Sequence, residues 1–158
     1  MSAPRALFAI TLLTLWIATG VNGAEPPPVS GTFTVDGKPA KLAFLRAVKG
    51  EPFDNKPTTV LVFTEKDASK DAKPDFHASF GQFGNSLTIT VFDDGTVIGC
   101  EVSHTALKHK SFSSSGEMKT EGFKKEGSTI EGKLTTGGEK DVFGQKWEVN
   151  LTFKTKAP

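Results

Sequence analysis

From residue 30 to residue 156 the apolar and polar positions alternate in short runs, each closed by a turn residue, and this is the period of strands half buried in a sheet. Phe33 and Val35 share one face opposite Thr32 and Thr34. Asp36-Gly37 then gives a two-residue hairpin signal leading into a second strand at 40–48. Residues 59–64 (TVLVFT) are apolar on both faces, as a central strand covered on two sides would be. Segments 86–92 and 96–103 flank Asp94-Gly95 as a second hairpin, with Leu87, Ile89 and Val91 on one face and Ile98, Cys100 and Val102 aligned on the partner. Alternation is weaker over 117–123 and 129–136, and Gly137-Gly138 breaks the chain after them. It is cleanest at the end, where Trp147, Val149, Leu151 and Phe153 point one way and Lys146, Glu148, Asn150, Thr152 and Lys154 the other. Residues 104–115 have no clean period and read as a loop or irregular edge.

The period changes once. After the charged loop 65–73, Phe76, Phe80 and Phe83 stand at i, i+4 and i+7, Pro74 suits a first helical turn, and Gly84 suits a position just past a helix end. The alternative, a strand, would split the three rings between two faces. The fold class expected is therefore all-β: about eight or nine antiparallel strands in meander order, forming a β-sandwich or small β-barrel with one short helix near residues 74–83.

Residues ahead of this region have a different character. Arg5 precedes an apolar run at 6–18, small and polar residues follow at 19–24, and Glu25-Pro26-Pro27-Pro28 is rigid and polar. This is the pattern of a secretory signal peptide, too short in its apolar run for the ~20 residues that span a bilayer. Val21 and Gly23 favour cleavage after Gly23, with Ala24 as the alternative, and no cysteine is near enough for a lipoprotein anchor. The expected organisation is a signal peptide at 1–23, a proline-rich spacer at 24–29 and a single β domain at 30–156, in a secreted or periplasmic protein with no membrane anchor after cleavage.

Charge narrows the function classes. The leader holds one base and no acid, so 19 basic against 18 acidic side chains become 18 against 18. A nucleic-acid binder would carry a basic excess, and a membrane-surface binder a basic stripe; neither is present. Cys100, the single cysteine, has no partner for an internal disulfide and reads as a buried small hydrophobe on its strand. The 13 Phe, no Tyr and two Trp suit a core better than a sugar-binding face, which needs rings with a polar handle.

Candidate chemistry is sparse. Cys100, Glu101, His104 and His109 form the densest reactive set, with zinc binding or a thiol–imidazole pair as the functional readings. On one extended strand Cys100 and His104 lie about 13 Å apart, which favours a core cysteine followed by solvated loop histidines. Ser113 to Ser115 lack a nucleophile-elbow pattern, Asp93-Asp94-Gly95 is explained by its turn, and Asn150-Leu151-Thr152 fits a glycosylation acceptor on the outward face. No metal or cofactor is expected.

Arg46 is the only arginine after the leader and shares strand parity with Leu42, Phe44 and Val48. On the core side it would need a carboxylate or an anion; at a strand end its head would simply reach water. The expectation is an exported, soluble, non-catalytic β-domain with a binding or structural role. The alternative is a small-molecule or anion-binding barrel, conceivably an enzyme, with Arg46 and His77 as ligand-binding residues near a Phe-lined mouth closed by the 76–83 helix. The partner, a small molecule or a protein, is left open.

Overall fold

A computed structural model describes residues 27–158, so the expected signal peptide at 1–23 and its cleavage site lie outside the described residues. The chain order is β1 (Val29–Val35), β2 (Lys38–Pro39), β3 (Phe44–Lys49), β4 (Thr58–Thr64), α1 (Pro74–Ser79), β5 (Ser86–Phe92), β6 (Val97–Ser103), β7 (Ser111–Ser114), β8 (Lys119–Glu126), β9 (Thr129–Thr135), β10 (Lys140–Val142) and β11 (Gln145–Lys156). These strands make two antiparallel sheets packed as a sandwich. The first runs β2-β1-β11-β9-β8, with β10 also on β11, and the second runs β3-β4-β5-β6-β7.

Local chemistry explains the main turns. Asp36 and Gly37 both take left-handed φ values, 48° and 71°, as a two-residue hairpin requires. Asp36 also ties the turn to β11, donating its backbone N–H to Lys146 O and accepting the Lys146 N–H on Oδ1. Gly31 is fixed by close approach of β1 to β11, since a Cβ there would stand 2.1 Å from Asn150 O.

The core lies between the sheets. Trp147, Val149, Leu151 and Phe153 of β11 are all buried, facing Leu61 and Phe63 of β4, Leu87, Ile89 and Val91 of β5, and Val102 of β6. Edge-on ring pairs cross the interface, Phe63 on Phe153 at 5.7 Å and Phe112 on Trp147 at 5.4 Å. All seven residues of β4 are buried, so the two-faced apolar run is a central strand covered on both sides.

Several expectations need correction. Only the second sheet is a meander; in the first, β11 from the end of the chain sits between β1 and β9. The hairpin after Asp36-Gly37 stops at Pro39, and the chain then crosses to the second sheet, where β3 occupies 44–49 instead of 40–48. A bulge shifts β6: Thr90 pairs with Gly99 and Val91 with Val97, leaving Ile98 as the extra residue, so Val97 takes the core-side place expected of Ile98. Part of the irregular 104–115 segment is the short edge strand β7. The helix ends at Ser79, because Gly81 turns the chain with φ 72° before Gly84 is reached. Its buried face is Pro74 and Ala78, while Phe76 and Phe80 are exposed. Phenylalanine is thus not confined to the core: Phe44, Phe53, Phe76, Phe80 and Phe143 all face solvent.

Candidate functional site

The register of the second sheet sets up its outer face. One cross-strand row reads Arg46, Val62, Thr88, Glu101, Ser113, and the next reads Val48, Val60, Thr90, Gly99. In both rows the β3–β4 half is largely apolar and the β5–β6–β7 half polar. Helix α1 lies across β4, β5 and β6, and its Ala78 packs on Val60 and Val62 in a small second core joined by Val48 and Phe83. Beside the helix the polar half stays partly open. It becomes the floor of a trough of about 630 Å³ whose wall is Asp75, Phe76 and Ser79 of α1 and whose far rim is Ser113 to Ser115.

This trough is of a size and mixed character suited to a ligand. Its depth comes partly from Gly99, where a Cβ would meet nothing nearer than Ser114 O at 3.6 Å. Phe76 and Phe80 meet as a tilted pair 4.9 Å between centroids, both rings exposed. Glu101 is half-buried on the floor, and burial pushes its carboxyl above the usual glutamate range. A desolvated acid in a concavity marks a candidate functional position.

The other reactive groups resolve separately. Cys100 is buried on the core side of β6, and burial pushes its thiol up to about 11, leaving almost no thiolate at neutral pH. His104 is buried, not solvated: its Nδ1 accepts the Ala106 N–H at 3.0 Å, so the proton sits on Nε2, which has no hydrogen-bond partner. Its ring instead meets Phe33 edge-to-face at 5.6 Å, and burial holds the imidazole below its ordinary value. His109 is exposed in the loop ahead of β7. Among the described residues no three of His, Cys, Asp and Glu are grouped to hold a metal ion, and no helix is long and apolar enough to cross a membrane.

Arg46 and His77 do come together, through a loop. Leu45 and Ala47 take the core side of β3, so Arg46 lies on the outer face with Val48, contrary to the core-side parity. Its Nη1 donates to the carbonyls of Ala68 (3.1 Å), Ser69 (3.0 Å) and Asp71, while Nδ1 of His77 donates to both carboxylate oxygens of Asp71 at 2.9 Å. The bond from His77, then the Lys73 N–H, holds the Asp71 carboxyl below its usual range. The pair fastens loop 65–73 between β3 and α1. Arg46 also borders a smaller pocket of about 330 Å³ with Phe44 and Asp67.

Sequence reasoning missed the trough because its parts are ordinary taken singly: two threonines at outward parity, one glycine and one glutamate. The available signal was the pairing of a two-faced apolar strand with a neighbouring one-faced strand, which implies a covering element that reaches only part of the sheet. No family model, curated protein or solved structure matches the chain.

Proposed function

We propose that this is an exported, soluble binding protein of the periplasm or extracellular space, and that it holds its ligand without catalysis in the trough on the outer face of the second sheet. The observation that carries the reading is the half-covered outer face: a concave floor with an uncompensated acid, bounded by the exposed ring of Phe76. The filled interior favours an external site over the mouth of a barrel. Three features support binding over turnover. The Cys100 thiol is protonated at neutral pH, the Nδ1 of His104 is engaged with backbone, and among the described residues that line the trough there is no histidine to serve as a base.

The export half of the proposal rests on the leader pattern in residues 1–24. N-terminal sequencing of soluble extracytoplasmic protein should find Ala24 or Glu25 first; Met1 retained in a membrane fraction would overturn it. The binding half is tested by filling the floor. Gly99→Val puts a β-branched side chain into the trough at a position with room for a Cβ, so the protein should remain folded and lose ligands that the parent retains from its native extract. Retention of the same ligands by both proteins would place binding elsewhere.

A further inference from the structure

We propose that the trough recognises a positively charged organic group, an alkylammonium or guanidinium on an apolar stem, with the charge between Glu101 and Asp75 and the stem against Phe76 and Val60. This rests on the trough being the binding site and names the chemistry of what fills it.

Charge complementarity is the first argument. The chain has 19 basic side chains, yet among the described residues none lines the trough, whose charged members there are Asp75 and Glu101. Elsewhere several surface acids are matched, Glu121 with Lys119 and Lys133, Glu131 with Lys154, Glu139 with Lys146, Asp93 with Lys125, and unmatched ones such as Glu51, Asp54 and Glu126 stand exposed to water, whereas Glu101 is partly buried. Among the described residues Glu101 and Asp75 make no such pair. Glu101 is flanked in its cross-strand row by Thr88 and Ser113, neutral hydroxyls that accept hydrogen bonds from a cation but cannot balance a carboxylate. A half-buried acid with no counter-charge costs stability, and an incoming cation offsets that cost in the bound state alone.

The second argument is the wall. Phe76 is more than half exposed at the edge of the trough, where its ring can cover a methylene stem or meet an ammonium face-on. An anion would be repelled by both carboxylates, and a neutral sugar would desolvate Glu101 further without compensation. A metal ion needs three or more ligating groups, and two acids with scattered hydroxyls do not supply them. An ammonium needs only acceptors.

The test uses 15N-labelled exported protein at pH 7 and three probes of equal length: n-hexylamine, 1-hexanol and hexanoate. Hexylammonium should shift the amides of Thr88, Thr90, Gly99, Glu101, Ser113 and Asp75, binding at least about tenfold more tightly than hexanol, with hexanoate weakest. Glu101→Gln and Asp75→Asn should each weaken hexylammonium about three- to tenfold while leaving the affinity for hexanol unchanged, a contrast that loss of folding would not produce. Cadaverine and N-acetyl-lysine methylamide then separate sources: tighter binding of the first supports a free polyamine, tighter binding of the second a lysine side chain of a peptide. If hexanol or hexanoate shifts the same amides as strongly as the amine, the trough stands as a site and the cation assignment falls. If no probe shifts those amides, both readings fall together.

Discussion

The two halves of the outer face of the second sheet belong to neighbouring strands in one continuous register, yet one is packed under a helix and the other lines a trough. On β3 and β4 the outward Val48, Val60 and Val62 pack with Ala78 of α1. On β5 and β6 the outward Thr88, Thr90 and Glu101 line the trough beside the helix and stay partly exposed. The difference shows that a six-residue helix suffices to turn a flat sheet into a concave surface, provided it covers only part of it. It also assigns the cost: the covered half adds apolar burial, while the open half holds a desolvated acid that the fold does not need.

The contrast can be broken most severely at the reference point both halves share, the interior. Phe153→Ala should cost about 3–5 kcal/mol in chemical denaturation, because a fully buried ring facing Phe63 is replaced by a cavity, whereas Thr152→Ala on the outward parity of β11 should stay within about 0.5 kcal/mol. Equal losses would mean that the first sheet is covered on both faces too. A smaller contrast is expected on the second sheet itself. Val62→Ala removes two methyl groups from the sealed half and should cost about 2 kcal/mol, while Thr88→Ala, its neighbour in the same row, should cost less than about 0.5 kcal/mol. If the Thr88 change is as damaging, the trough floor is part of the core.

Buried His104 sharpens the account through pH. Its folded-state value lies below the ordinary 6.5, so the unfolded chain takes up the proton first. The stability due to neutral His104 is complete above about pH 6.5 and declines as pH falls from there through the lowered folded value. Protonation would put a hydrogen on Nδ1 against the Ala106 N–H, in a setting that includes Glu65, Asp36 and Lys38. Melting temperatures from pH 7.5 to 5 should therefore fall more steeply for the parent than for His104→Asn, whose Oδ1 can accept the same N–H without titrating. Parallel slopes would show that His104 is not held neutral.

Much of the scaffold was legible because it rests on near-neighbour chemistry. Strict alternation in β11, the doubly apolar β4 and the Asp36-Gly37 turn each follow from side-chain period or backbone sterics, and each stands where expected. What was not legible depends on contacts distant in sequence. Arg46 lies on an outward row because both parities of β3 are apolar, Leu45 and Ala47 against Phe44 and Val48, and only the packing of the second sheet on the first decides which face is the core. Ile98 lost its place to Val97 through a one-residue bulge that leaves no mark in the alternation. His104 looked like a loop residue because its polar neighbours Thr105 and Lys108 are exposed, while its own ring turns inward onto Phe33. The trough itself combines residues from 60 to 115, and no local window contains it.

The smallest effect tests the central claim most directly. Carbon-13 detection of the Glu101 carboxyl through a pH titration of the protein should place it above the ordinary 4.5, since burial without a counter-charge disfavours the carboxylate. Because a raised folded value means that the ionised form costs stability above both values, Glu101→Gln should raise the melting temperature at pH 7 and lose that advantage below about pH 4. Saturating hexylammonium should then pull the Glu101 carboxyl back toward the ordinary range. A Glu101 that titrates at or below 4.5 and does not respond to the amine would contradict the account, because the open half of the sheet would then be a solvated face and not a site.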